Sequence, residues 1–344
     1  MKRWLCVCLL FSLLCGCRPQ AAVGKQVIVT GLGIGSRFEV SVQAVEALKT
    51  AGSLSEQTES ATAVYTATGK TVAEALQGFL NEAGKRTYIL QNKIIVLGLA
   101  YCKENSVYEA LDYFMRNQEG RAPVELLVCR GDPSALLGIT VGSDAIPAEY
   151  VSQMLWEGER FSRTVTAQLL DVERSLSGMY DLALPLMSVE DGTPKLQGTA
   201  LFTDGRLAGV LNAEESVGLA LAAGESEFCL CTLQNTSLRL ENIHTAVTWE
   251  NERRLAVSVS AVARIIEKNG TASGDVLALC EKQLAERIAA AVTRSVAEYG
   301  SDPLGLARRM SAQLGVAKER ASALLPLATV TASVNLKKTD QGFL

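Results

Sequence analysis

The stretch ALFTDGRLAGVLNAEESVG, residues 200–218, decides the fold. Two short apolar runs flank Asp204-Gly205, and because both positions tolerate positive φ, this pair predicts a tight turn between antiparallel strands. Asn212 follows the second run and is itself followed by Glu215, which predicts a helix that begins with a capping box. A hairpin that leads directly into a helix indicates a mixed α and β architecture.

Towards the amino terminus, strand-like and helix-like segments alternate. The runs over 26–30 and 38–42 predict two antiparallel strands. Apolar residues at helical spacing predict helices over Thr71–Leu80 and Val107–Arg116. The other predicted strands are 64–67, 88–90, 94–97, 124–129 and 182–189, and the region 132–172 has a mostly helical pattern.

Towards the carboxy terminus, the pattern predicts a long helix from Asp275 to about Tyr299 and a shorter one over 304–314. Predicted strands there are 228–233, 246–249, 255–266 and 328–336. The fold class that follows is α/β in the broad sense, a mixed α+β chain of several domains, with mixed sheets, packed helices and a long C-terminal helix.

Pro194, between Gly192 and Gly198, marks a domain boundary. We predict an N-terminal α/β domain over 26–192 and a C-terminal α/β domain over 193–344, which can divide again near 225. The chain has 344 residues, of which 48% are hydrophobic, so it is long enough to bury a core in each domain.

Charge and composition narrow the range of functions. Lys and Arg total 33 against 37 Asp and Glu, a net charge of -4, and the chain has no Lys/Arg run, so we expect no nucleic-acid partner. The single histidine, His244, excludes a multi-histidine metal site. This composition argues against an enzyme without excluding one.

The amino terminus has the proportions of a secretory leader. Met1-Lys2-Arg3 is positive, and the uncharged apolar run Trp4–Cys15 is too short to span a bilayer, which needs about 20 residues. Leu14-Cys15-Gly16-Cys17 resembles a bacterial lipobox. We therefore predict a lipoprotein signal peptide over 1–16, a diacylglycerol anchor on Cys17 and a tether over 17–25. The alternative is an ordinary signal peptide cut near Gly16, which leaves Cys17 as a plain thiol.

The motifs that could indicate a nucleotide-binding or catalytic site lack the neighbouring residues or elements that such a site requires. The glycines of Gly31-Leu-Gly-Ile-Gly35 follow a strand, but the next segment alternates like a strand, so no helix N-terminus is available for a pyrophosphate. Gly69-Lys70-Thr71 precedes a helix but lacks the first glycine of a P-loop. His244 has no Ser/Asp arrangement nearby. We predict no catalytic, cofactor-binding or metal-binding residue and no cofactor.

Five cysteines remain once the leader and Cys17 are set aside: Cys102, Cys129, Cys229, Cys231 and Cys280. The number is odd, so at least one thiol stays free or pairs between chains. Cys229 and Cys231 share one face of a strand-like run, at a spacing that fits neither a CxxC redox pair nor a zinc knuckle. We predict that both are buried small hydrophobes.

Several segments, taken in order, match the pattern of one family. Val29-Thr-Gly-Leu-Gly-Ile34 resembles an opening hairpin, and Ala200–Gly218 closely resembles the hairpin and helix “aVFkddrLvGyLneeEtrG”. The other matching segments are 69–75, 92–98, 111–116, 281–299, 302–305 and the closing strand. The chain thus resembles the Ger(x)C spore germination lipoproteins over nearly all of its length after the leader.

This resemblance implies a lipid-anchored, multi-domain and non-catalytic protein on the outer face of the spore inner membrane. It would be the C subunit of a GerA-type nutrient germinant receptor, required for the germination response to small nutrients. Its partners would be a polytopic A subunit, a transporter-like B subunit, other receptor complexes in a cluster, and the membrane through its anchor. Cys17 is the one site residue that we predict.

Two other functions fit the same length and leader. A solute-binding lipoprotein of a transporter would have a cleft between two lobes and would bind amino acids or sugars on its own, whereas a receptor subunit would bind little. An envelope hydrolase would need a nucleophile or a metal set that we do not recognise in the sequence. We also hypothesise that the Asp204-Gly205 hairpin and the helix after Asn212 form a structural module, and that Arg116 and Arg206 are solvated surface charges.

Overall fold

The computed structural model describes residues 26–45, 62–83, 86–117, 123–142, 146–269 and 275–339. Within these ranges the chain forms two β-sheets with helices packed against them. The mixed α and β class predicted from the sequence is confirmed. Cys17, the predicted signal peptide 1–16 and the tether 17–25 lie outside the described residues.

The first sheet has nine strands in the order β3-β2-β1-β5-β6-β7-β8-β9, with β4 also paired to β1. Their bounds are β1 (Gln26–Ile34), β2 (Glu39–Val45), β3 (Thr62–Thr68), β4 (Arg86–Tyr88), β5 (Ile94–Gly98), β6 (Glu125–Cys129), β7 (Ala183–Glu190), β8 (Thr193–Thr203) and β9 (Arg206–Asn212). The central strands β1, β5, β6 and β7 are parallel, and antiparallel strands extend them on both sides. Position 192 lies in the turn between β7 and β8, so this sheet continues across it to Asn212.

Helices cover both faces of the first sheet, which explains its continuously apolar central strands. These helices are α1 (Val72–Ala83), α2 (Leu99–Glu104), α3 (Val107–Arg116), α4 (Pro133–Leu137), α5 (Pro147–Arg160) and α6 (Leu169–Leu176). Along β5, Ile95 and Leu97 enter the core formed with α1, α2, α3 and α6. Ile94 and Val96 enter the core formed with α4 and α5.

The second sheet has four strands in the order β10-β11-β12-β13. Their bounds are β10 (Phe228–Leu233), β11 (Thr236–Asn251), β12 (Arg254–Lys268) and β13 (Thr329–Lys338). The first three are antiparallel neighbours, and β13 lies parallel to β12. One face packs against α8 (Val276–Thr293), α9 (Leu306–Leu314) and α10 (Lys318–Leu324). A further helix, α7 (Ala213–Ala223), follows β9 and contributes Leu221 to the same core.

Three of the differences from the sequence pattern concern the second sheet and its helices. β11 begins at Thr236 rather than near 246, because register shifts interrupt the alternation on which the pattern relies. The long helix ends at Thr293 and continues as a π-helical turn over Arg294–Glu298. The pattern does not predict α10, a short helix whose buried residue is Ala321.

Within the described ranges, no helix has both the length and the apolar character needed to cross a membrane.

Candidate functional site

The hairpin and helix of residues 200–218 form one connected unit, the hairpin–helix module. Asp204 and Gly205 have φ values of 50° and 74°, as a two-residue hairpin turn requires. Asn212 Oδ1 accepts hydrogen bonds from the N–H groups of Glu214 and Glu215 at 2.9 and 3.0 Å. Glu215 Oε2 accepts one from Asn212 N–H at 2.8 Å. The predicted capping box is confirmed, and it starts α7 directly after β9.

Neighbouring helices hold this module at both ends. The Gly205 carbonyl accepts a hydrogen bond from Val107 N–H at 2.8 Å, and a Cβ on Gly205 would lie 2.5 Å from the Tyr108 ring. The turn therefore docks at the start of α3. At the other end, Glu215 forms an ion pair with Arg294 in the π-helical turn. The hypothesised module thus links the first sheet to the helices of the second.

Helix α7 also packs directly on α8. A Cβ on Gly218 would lie 2.3 Å from the carbonyl oxygen of Arg287, so only glycine permits this close approach. The Arg287 guanidinium lies 3.3 Å from a carboxylate oxygen of Glu214. Contact between backbones therefore fixes the distance between the two helices.

A second link, which we call the joint, is formed by residues 300–305 against the first sheet. Asp302 N–H donates to Asp181 Oδ2 at 2.8 Å, and Asp181 N–H donates to the Asp302 carbonyl at 3.0 Å. The Asp302 carboxylate also accepts two backbone N–H groups from the first turn of α9, at 2.7 and 2.9 Å, and so caps that helix. Ser301 Oγ donates to the Phe202 carbonyl at 2.9 Å. The joint therefore connects the start of α9 to β8 and to the segment just before β7.

Burial raises the pKa of both carboxyl groups in the joint. For Asp302, the loss of solvent outweighs the two helix N–H groups, which lower its pKa, and the nearby Asp181 raises it further. For Asp181, burial is again the largest cause, and the hydrogen bond from Asp302 N–H opposes it. Both groups therefore bind protons more tightly in the folded chain than ordinary aspartates do.

A polar cavity of about 450 Å³ lies beside the joint and is lined by residues of both halves of the chain. Its walls include Glu159, Asp171, Tyr180, Glu225 and Arg309. Tyr180 Oη donates to Asp171 Oδ1 at 2.6 Å, and burial together with this bond raises the pKa of Tyr180 to about 12. Burial and the negative charge of Glu159 raise the pKa of Glu225. The cavity is acidic and has the size to hold a small polar molecule.

A wider groove of about 780 Å³ lies between the start of α1 and α3. Phe38, Tyr108 and Arg116 contribute to its walls. Arg116 Nε lies 2.8 Å from both carboxylate oxygens of Asp112, and its side chain is 80% exposed. Arg206 is exposed as well. Both arginines are surface charges, as the sequence predicted.

The cysteines and the histidine that the sequence analysis considered do not form a common site. The five described cysteines have buried, free thiols, and the predicted burial of Cys229 and Cys231 is confirmed. His244 is exposed on β11. Across the ranges that the structure describes, no group of three or more His, Cys, Asp or Glu side chains is arranged to hold a metal ion.

Sequence reasoning missed the partners in the joint. It marks Asp302-Pro303-Leu304-Gly305 as a segment similar to one family, but nothing points to Asp181, which lies 121 residues away. An aspartate just before the predicted helix at 304 is a signal for its capping role. The acidic walls of the cavity, such as Glu159 and Glu225, belong to no motif.

Two sheets tied by the hairpin–helix module and the joint define a two-domain protein of mixed α and β structure. Residues 23–189 match the family description “Spore germination protein N-terminal domain”, and residues 197–336 match “Spore germination B3/ GerAC like, C-terminal”. The chain therefore belongs to the Ger(x)C family of spore germination proteins.

The fold agrees with that assignment. It superposes on the structure described as “Crystal Structure of the GerBC protein” with a TM-score of 0.58 and 14% sequence identity. The alignment covers 90% of this chain and 96% of that chain. A comparison with curated proteins gave no match.

Proposed function

We propose that this chain is the lipid-anchored, non-catalytic C subunit of a nutrient germinant receptor, and that spores need it to respond to small nutrients. The succession of two spore germination domains over 23–189 and 197–336 carries this proposal. The joint and the hairpin–helix module support it, because they connect the two domains through hydrogen bonds and an ion pair. A connected pair of domains can transmit a contact made on one of them to the other.

Cys17 is the proposed lipid attachment site, and the outer face of the spore inner membrane is the proposed location. Two acyl chains on one cysteine give stable membrane association. At about 3.4 Å per residue, the tether over 17–25 spans roughly 30 Å when extended, so the first sheet stays close to the membrane surface. Anchoring also raises the effective concentration of the two domains beside membrane partners.

The proposed partners are the polytopic A subunit and the transporter-like B subunit of the same receptor, together with neighbouring receptor complexes in a cluster. Family membership supports this assignment. Contact surfaces, rather than a reaction centre, would then carry the function. The chain would act by holding and orienting its partners at the membrane.

Germination assays on spores that lack this gene and its sister receptor genes test the proposal. Copies encoding the wild type, Cys17→Ala or Cys15→Ala are returned, and nutrient-induced loss of refractility and dipicolinate release are followed. Cys15→Ala is the matched control, because it changes the neighbouring cysteine and keeps the anchor residue. We expect the wild type and Cys15→Ala, expressed with the partner subunits, to restore the response, and Cys17→Ala to restore it only weakly. A response to nutrients without any copy would contradict the proposal.

The acidic cavity beside the joint favours a second candidate, the solute-binding lipoprotein of a transporter. Calorimetric titration of the full-length chain with amino acids and sugars separates the two functions. A receptor subunit of the proposed kind should show little or no heat of binding. Micromolar or tighter binding that Glu225→Gln weakens would favour the solute-binding function.

A further inference from the structure

The outer face of the second sheet, opposite the core shared with α8 and α9, carries a row of three paired residues. Leu230 on β10 pairs with Arg239 on β11, which pairs with Arg264 on β12. Directly paired residues point to the same side of a sheet, and the adjacent Cys229 faces the core. Leu230 is 56% exposed. We call these three residues, together with Phe228, the arginine face.

Of the two arginines of this face, Arg239 has an ion-pair partner among the described residues and Arg264 has none. Like charges directly opposite each other in a sheet are destabilising. Arg239 Nε lies 3.2 Å from Glu241 Oε1 but is not aligned with it for a hydrogen bond. Arg264 forms no ion pair with any described residue, and its Nε is buried without a hydrogen-bond partner. Because both Nε atoms are buried, an incoming acceptor can reach only the terminal N–H groups of the two guanidinium groups, where it would offset the repulsion between the like charges.

Aromatic side chains border the arginine face. The Phe228 ring centroid lies 4.3 Å from Arg239 Cζ and 5.2 Å from the ring of Phe161. Next to them, Trp156 is 50% exposed and its ring lies 4.4 Å from Arg160 Cζ. Exposed Trp, Phe and Arg in one cluster are typical of the energetic centre of a protein interface.

The free edge of β10 adds backbone hydrogen-bonding groups. Because a two-residue turn joins β10 to β11, alternate residues of β10 bond to β11 and the others point away from it. On this pattern, Leu230 and Thr232 direct their N–H and C=O groups outwards. Phe228, two residues before Leu230, also directs its carbonyl away from β11, and this carbonyl accepts a hydrogen bond from Ser162 Oγ at 2.7 Å. A polypeptide that covers the arginine face can therefore also bond to this edge.

We propose that the arginine face binds a partner polypeptide through a segment in which an acidic residue lies beside an apolar one. The carboxylate lies between Arg239 and Arg264 and accepts hydrogen bonds from both, and the apolar side chain packs on Leu230 and Phe228. Charge complementarity favours an anion, because the register places two cations side by side and Glu241 offsets only one of them. A polypeptide fits better than an anionic membrane surface, because a polypeptide can pair with the outward N–H and C=O groups of β10 and a layer of phosphates cannot pair with both. This inference does not depend on the proposed function.

Fluorescence anisotropy of labelled peptides added to the full-length chain in neutral detergent tests the proposal. The probe is a short peptide of alternating valine and glutamate, and the control peptide alternates valine and lysine. Arg264→Gln should weaken binding of the glutamate peptide on the order of ten-fold, as expected when a charge-assisted hydrogen bond is lost. Arg254→Gln is the matched variant and should bind like the wild type, because Arg254 lies on the same face of β12 but at its opposite end.

Thermal unfolding of the same variants separates binding from folding. Arg264→Gln removes a like-charge contact, so it should unfold at the wild-type temperature or above it while its affinity for the peptide falls. A residue with a merely structural role would lose affinity and thermal stability together.

Several outcomes would overturn the proposal. They are no binding of the glutamate peptide, equal binding of both peptides, and equal loss in Arg264→Gln and Arg254→Gln. Vesicles of equimolar phosphatidylcholine and phosphatidylglycerol test whether the face binds anionic lipid. If the wild type sediments with these vesicles, Arg264→Gln does not and the glutamate peptide fails to bind, the arginine face binds the membrane instead of a polypeptide. A dimer that Arg264→Gln dissociates would assign the face to a second copy of the chain.

Discussion

The two sheets differ in how much of each is hidden from solvent. In the first sheet, helices lie on both faces and every residue of β5 is buried. In the second, β12 and β13 alternate between core and solvent, and charged residues such as Arg239 and Arg264 lie on the open face. A strand buried on both faces is constrained at each position, whereas the open face of a sheet can vary with little loss of stability. The first sheet is therefore constrained on both of its faces, and the second leaves one face open to solvent.

Replacing one leucine in each sheet gives the largest expected effect. Leu97 on β5 is 0% exposed, so Leu97→Ala should lower the free energy of unfolding by about 2–5 kcal/mol. Leu230 is 56% exposed, and Leu230→Ala should change that free energy by less than about 0.5 kcal/mol. Urea unfolding followed by circular dichroism measures both. Equal losses in the two variants would remove the distinction between the sheets.

A substitution at the contact between α7 and α8 tests whether this contact holds the two sheets at a fixed distance. Gly218→Ala places a methyl group 2.3 Å from the Arg287 carbonyl oxygen and should destabilise the chain by about 1–3 kcal/mol. Gly78→Ala is the matched control on α1, where the new Cβ meets only Ala67 at 3.5 Å. It should be neutral or stabilising by up to about 1 kcal/mol, because alanine favours helix. The same urea titration compares them, and equal effects would show that α7 and α8 are not in tight contact.

A substitution in the joint should have a smaller effect on the free energy of unfolding, and that effect should depend on pH. Asp302→Ala removes the cap of α9 and should cost about 1–2 kcal/mol at neutral pH. The pKa of Asp302 is higher in the folded chain than in the unfolded chain. Protonation of this group therefore stabilises the fold as the pH falls from the folded-state pKa towards the unfolded-state pKa of about 4. The alanine variant lacks this gain. The difference in unfolding free energy between the wild type and Asp302→Ala should therefore widen as the pH falls from neutral towards the ordinary carboxyl pKa. A difference that narrows on acidification would mean that the pKa is lowered instead.

The smallest effect is expected at Arg116, the last residue of α3. Its ion pair with Asp112 is exposed to solvent, which screens the attraction. Arg116→Gln should leave the midpoint of urea unfolding unchanged within experimental error. A clear shift would indicate that the groove between α1 and α3 depends on this arginine for its shape.

Features set by nearby residues were predictable from the sequence. The turn at Asp204-Gly205 and the capping box of Asn212 with Glu215 depend on residues a few positions apart. The helix Val107–Arg116 follows from its apolar spacing alone. These elements form where the pattern predicts them because their causes are local.

Features set by distant residues were not predictable. Asp181 and Asp302 meet only because the complete fold brings together positions 121 residues apart. The pairing of Arg239 with Arg264 depends on the register of β11 and β12, which bulges shift on both sides of that pair. Cys17, the predicted site residue, stays a prediction.

The parallel pairing of β13 with β12 has a consequence for biogenesis. A parallel neighbour requires a crossover, and here the crossover includes α8, α9 and α10. During synthesis from the amino terminus, the second sheet has three of its four strands until this last segment is made. A chain that stops before Thr329 leaves β12 as an unprotected edge that invites aggregation or proteolysis. We therefore expect a chain truncated before Thr329 to be degraded or to aggregate faster than one that contains β13.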